Sequence, residues 1–212
     1  NAQPTSTLPE LEKLWNFSDP AATEQKFREL LPAAESLGAE SYKGELLTQI
    51  ARTYSLRRMF NEAHETLDLV EQMPLDDYPL VEARYLLERG RTFNSANEKT
   101  RARELFLKAW NHCKLEQLDY LAVDAAHMLA IAEHNPDVQI QWNEAAIRYA
   151  ETAIDPYAAE APADAARRTI SSRAARASAS TLAYSGSPAM GWPRACRCTR
   201  NWWRLPVRGD SA

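Results

Sequence analysis

Leu86-Leu87-Glu88-Arg89-Gly90-Arg91-Thr92-Phe93, followed nine residues on by Ala102-Arg103-Glu104-Leu105-Phe106-Leu107-Lys108-Ala109, is the stretch that decides the fold. Leu86, Gly90 and Phe93 stand at i, i+4 and i+7, as do Ala102, Phe106 and Ala109, so each set occupies one face of a helix. A small residue between two large ones, Gly90 between Leu86 and Phe93, lets a partner helix approach closely. Two adjacent amphipathic helices are therefore expected to pack as a hairpin.

The pattern recurs outward from there. Thr23, Ala63, Ala102 and Trp142 are separated by 40, 39 and 40 residues. Phe27, Leu67, Phe106 and Ala146 lie four positions further on, and Leu30, Val70, Ala109 and Tyr149 three beyond those. Before the second and third of these helices stand Leu47, Ala51, Tyr54 and Leu86, Gly90, Phe93. In the last unit Leu129-Ala130 keeps the pattern, but Glu133 stands where an aromatic residue is expected. Helices are predicted at about Leu8–Phe17, Ala21–Ser36, Ser41–Met59, Asn61–Met73, Pro79–Asn94, Glu98–Cys113, Asp119–His134 and Asp137–Ala153. Asp19 is the expected cap of the second, with Pro20 in its first turn. Short linkers such as Met73-Pro74-Leu75-Asp76 imply antiparallel neighbours.

These residues resemble the tetratricopeptide repeat family over about Leu8 to Ala153, with a period near 40 in place of the family's 34 and without the Trp that often opens its first helix. The resemblance implies an all-α fold of antiparallel helix hairpins stacked in a right-handed superhelix, and a scaffold that takes a protein or peptide partner in its concave groove. A HEAT-like solenoid is the alternative architecture. In tetratricopeptide proteins the first helices line the groove. Here they carry Thr48, Arg52, Arg84, Arg91 and Asn94 away from the packing face, with His127 and His134 at corresponding places in the last unit. Arginine forks can grip carboxylates and an Asn can bond an extended backbone, so the expected partner is an acidic peptide or a chain terminus.

Composition divides the 212 residues in two. Residues 1–155 hold 16 basic and 26 acidic side chains; residues 156–212 hold 9 and 3. The acidic body argues against a nucleic-acid partner for that part. The basic segment takes 30 of its 57 residues from Ala, Arg and Ser, has no Lys, and carries Trp192, Trp202 and Trp203. One reading is an Arg/Trp arm for RNA or an acidic partner. The favoured one is a GC-rich coding sequence translated out of frame, which yields Ala, Arg, Pro, Ser, Trp and Cys and almost no Lys. A last hairpin left uncapped by such a loss is expected to self-associate near Trp142 and Tyr149.

No run of 18 apolar residues and no signal-peptide pattern is present, so a cytoplasmic protein without a membrane span is expected. Enzyme signatures are missing: there is no G-x-G-x-x-G, G-x-x-x-x-G-K-[ST], H-E-x-x-H or G-x-S-x-G. The reading is accordingly non-enzymatic, without cofactor or metal. Its rival is a metal or small-ligand site around Asp124, His127 and His134. Cys113 beside His112 reads as a buried or half-buried thiol, since adjacent helix residues diverge, and Cys196-Arg197-Cys198 lacks a second ligand pair. The acidic run Glu62, Glu65, Asp68, Glu71 reads as a solvated outer face.

Overall fold

The computed structural model describes residues 8–154; the basic segment, its three tryptophans and the Cys196/Cys198 pair lie outside the described residues, as does the reading of that segment as out of frame. Among the described residues the regular elements are helices: α1 (Leu11–Leu14), α2 (Pro20–Ser36), α3 (Glu40–Leu56), α4 (Phe60–Glu71), α5 (Pro79–Ser95), α6 (Lys99–Leu115), α7 (Asp119–Ala132) and α8 (Pro136–Tyr149). A 3-10 turn at Leu75–Asp77 precedes α5, and a π-helical turn at Ala150–Ile154 follows α8. No helix among them is long and apolar enough to cross a membrane.

From α2 onward each helix packs on the next along the chain, α4 and α5 with the 3-10 turn between them, and α3 also packs on α5 and α5 on α7. Thr23, Phe27 and Ala34 of α2, Ala63, Leu67 and Val70 of α4, and Ala102, Phe106, Ala109 and Cys113 of α6 are removed from water. Their i, i+4, i+7 spacing places one apolar stripe of each helix against its neighbours. α8 buries only Ala146 fully. The first hairpin closes over Leu11, Phe27, Ala34, Leu46 and Ile50, with Leu14, Trp15, Leu30 and Tyr54 packed around them.

Four of the turns between helices, α2–α3, α3–α4, α5–α6 and α6–α7, share one geometry. The amides of Ala39, Met59, Glu98 and Leu118 donate to the carbonyls of Ala34, Tyr54, Phe93 and Cys113, five residues back, at 2.8–3.0 Å. Each such 6→1 bond passes over a residue with positive φ: Gly38, Arg58, Asn97 and Gln117 at 63°, 62°, 67° and 56°. Because glycine occupies only one of the four, composition concealed the turns. They end α3 at Leu56, where the spacing predicted Met59.

Other boundaries shift for equally local reasons. α1 is four residues long rather than ten, since Pro9 disfavours helix before it and Asn16 turns the chain, its Oδ1 accepting from the Ser18 amide at 3.1 Å. α7 stops at Ala132 rather than His134, because Glu133 is extended and Pro136 opens the next helix. Asp19 caps α2 by accepting from Ala22 N at 3.0 Å, with Pro20 in the first turn.

Candidate functional site

α3, α5 and α7 are the first helices of the three full hairpins, and polar side chains are buried along them. Thr48, Gln49, Arg52, Glu88 and Arg91 are all buried. Burying charge costs several kcal/mol per ion unless it is paired and hydrogen-bonded, so the partners of each group determine what this face can do.

Glu88 is the hub. Its two carboxylate oxygens accept from Arg52 Nη1 at 2.9 Å and Arg91 Nη1 at 2.6 Å, which ties α3 to α5. Arg91 then reaches Asp124 of α7 through Nη2. Its guanidinium is held charged above its ordinary range: burial opposes the charge, but Asp124 and Glu88 more than offset that. Arg84 joins the other end. Its Nη2 donates to Glu12 of α1 at 2.5 Å and its Nε lies 3.0 Å from Glu45 of α3. Glu45 is held above the usual carboxylate range by burial, with Glu12 adding to the rise and Arg84 opposing it. For Glu12 burial also pushes up, but Arg84 and a backbone bond bring it down overall.

The sequence-expected residues lie on α3, α5 and α7, and most are engaged within the chain. Thr48 donates to the Glu45 carbonyl at 2.7 Å. Arg52, Arg84 and Arg91 hold the chain's own carboxylates. Asn94 and Asp124 each keep one side-chain oxygen, Oδ1, that is buried and accepts no hydrogen bond among the described residues. His127 bonds Asn143 of α8, and burial holds its pKa below the usual value, with Asp124 and that bond acting the other way.

Asp124, His127 and His134 are not brought together. Asp124 is tied to Arg91, whereas His134 is exposed past the end of α7 and donates its backbone amide to Glu133 Oε1 at 2.7 Å. Among the described residues no three His, Cys, Asp or Glu side chains are grouped to hold a metal ion. Trp142 and Tyr149 turn onto α6: both rings meet Trp110 edge-on, at 6.2 and 5.2 Å, and the Tyr149 hydroxyl donates to Asp119 at 2.7 Å. Cys113 is fully buried and its thiol is pushed up to about 12, chiefly by burial. Its neighbour His112 points elsewhere, donating from Nε2 to the Pro79 carbonyl at 2.9 Å. Glu133, the departure from the repeat, accepts from Arg103 at 2.8 Å and from the His134 and Asn135 amides, which hold its carboxyl below the usual range.

Residue-by-residue reading of the sequence missed Glu12, Glu45, Gln49, Glu88 and Arg89. On the outer side Arg89 gathers part of the acidic run, meeting Asp68 at 2.5 Å, Glu71 at 3.3 Å and the His64 ring at 3.0 Å while its guanidinium covers the Tyr85 ring. The signal that finds the inner set is the repeat period applied to polar positions. Gln49, Glu88 and His127 are spaced by 39, as are Arg52 and Arg91. The same step backwards from Tyr54 reaches Trp15, whose indole Nε1 donates to Gln49 Oε1 at 3.0 Å. No family model, no curated protein and no solved structure matches this chain.

Proposed function

We propose that the protein is a non-enzymatic helical-repeat scaffold of the tetratricopeptide type, its hairpins stacked in a right-handed superhelix, that holds a peptide or protein segment against the faces of α3, α5 and α7. One observation carries this reading: polar side chains recur every 39 residues on the first helices, as Gln49, Glu88, His127 and Arg52, Arg91, while the second helices turn an apolar stripe inward. A buried ionic network contributes less to stability than well-packed apolar residues of the same volume would. Retaining one along a single face supports a role in recognition, since its cross-links hold donors and acceptors in fixed rotamers before any partner arrives. Short anchoring contacts along such a face suit an extended or helical segment of the partner.

The test is selection of binders for the full chain from a random peptide library, followed by titration. The selected peptide should lose at least tenfold in affinity with Gln49→Ala and His127→Ala combined, and should be indifferent to Glu65→Gln on α4. A library that enriches no binder, or one whose binder ignores the α3 and α7 substitutions, would contradict the scaffold reading.

A further inference from the structure

The ionic pairs of the first helices already occupy their guanidinium groups, and that occupancy decides which charge a partner should carry. Arg84 keeps 12% of its side chain exposed, whereas its partner Glu12 keeps 46%. Arg91 is 8% exposed and Asp124 13%. Glu12 is the open carboxylate of the set, while Glu45 at 16% and Asp124 at 13% are only slightly more exposed than their arginine partners. Glu88 is the exception, lying deepest at 3%, where both of its oxygens are taken by Arg52 and Arg91. Four carboxylates (Glu12, Glu45, Glu88, Asp124) thus face three guanidiniums (Arg52, Arg84, Arg91), within a body of 26 acidic and 16 basic side chains. On α5 and α7 two buried acceptors, Asn94 Oδ1 and Asp124 Oδ1, lack a hydrogen-bond donor among the described residues, beside the buried Arg84 Nε, which makes no hydrogen bond and stands 3.0 Å from Glu45.

An acidic segment would have to displace an internal carboxylate from a buried guanidinium, leaving that carboxylate unpaired in a poorly solvated place, which costs several kcal/mol. A lysine or arginine side chain meets the open Glu12 carboxylate without breaking any pair. We propose that this face takes a Lys- or Arg-bearing segment of a partner protein, and that Glu88, by occupying Arg52 and Arg91, closes it to acidic segments. The inference rests on the scaffold reading and reverses the charge that the arginines alone suggest.

Fluorescein-labelled decapeptides of alternating Ala-Lys and alternating Ala-Glu, titrated into the full chain at moderate salt, provide the test. The basic peptide should bind at least tenfold more tightly than the acidic one. Glu12→Gln combined with Glu45→Gln should weaken it about fivefold or more. Glu65→Gln combined with Glu116→Gln, an equal change of net charge at exposed positions away from this face, should leave it nearly unchanged. If Glu45→Gln disturbs folding, Glu12→Gln alone, at a half-exposed site, should still weaken binding about twofold. Equal or tighter binding of the acidic peptide would overturn the proposal, and so would equal loss from the two double variants, which would mark a non-specific attraction to an acidic body. Library selection separates this from the parent reading: acidic or neutral binders sensitive to Gln49→Ala and His127→Ala would overturn the charge assignment alone, whereas no binder of any charge would overturn both.

Discussion

Phe106 of α6 packs so close to Gly90 on α5 that a Cβ built at Gly90 would stand 2.5 Å from Phe106 Cε1 and 2.8 Å from Cδ1. Phe106 is fully buried, so it can yield to an added Cβ only by disturbing the core around it. Gly90→Ala gains about 1 kcal/mol of helix propensity but overpacks this contact at about 1–3 kcal/mol. A net loss of up to about 2 kcal/mol is expected, lowering Tm by as much as about 6 °C. Adding Phe106→Leu should recover part of it, and a double-mutant cycle by thermal melt that shows strict additivity would refute the contact's role.

Glu88→Gln removes the charge between two buried guanidiniums. Breaking a buried ion pair by neutralising one member costs about 3–5 kcal/mol, with Arg91 partly protected here by Asp124. Urea denaturation should show a loss near the lower end of that range at unchanged m. A loss below about 1 kcal/mol would mean the hub is solvated in solution.

Gln117 holds φ at 56° and is exposed, so Gln117→Gly removes backbone strain without removing a packed side chain. A gain of about 0.5–1 kcal/mol is expected. Gly38→Ala, at φ 63° with open space around its Cα, should lose about the same amount. Opposite signs from the two substitutions in a thermal-shift assay would support the shared turn geometry; the same sign would not.

His127 and His64 are both held below the ordinary imidazole value of 6.5 by burial, with Arg89 also acting on His64 and Asp124 opposing the shift at His127. The unfolded chain binds those protons more readily, so the stabilisation is complete above about pH 6.5 and is lost as pH falls through the lower folded values. Tm should fall between pH 7.5 and 5.5, and His127→Gln should flatten that slope. Glu12 and Glu24, lowered by their arginine partners against the effect of burial, extend the loss below pH 4.5, while raised Glu45 works in the opposite direction.

Cys113, fully buried and with its thiol pushed up to about 12, should resist alkylation in the native state and react on denaturation. Peptide mapping by mass spectrometry follows this one residue apart from Cys196 and Cys198. Native-state labelling on the timescale of an exposed thiol would show that α6 opens locally.

Apolar periodicity made the helical class legible because a 3.6-residue period is written directly in sets such as Ala63, Leu67, Val70 and Ala102, Phe106, Ala109. The small residue at Gly90 announced the close crossing with the following helix. Helix ends were less legible, since three of the four positive-φ turns use Arg58, Asn97 and Gln117 rather than glycine. The candidate site was half legible: of the residues singled out, Arg52 and Arg91 are brought together through Glu88, but the sequence does not announce that Glu88 and Asp124 reach across helices to take up the arginines. Partner choice among charged side chains depends on distance between helices, and that information enters only with packing.

The most direct measurement is nitrogen–proton NMR of the full chain titrated with the peptide that library selection yields. Shifts should concentrate on α3, α5 and α7, around Gln49, Glu88 and His127, with little change on α4 and α6. Shifts confined to the second helices, or none at saturating peptide, would contradict the claim that the first-helix face is where this protein receives its partner.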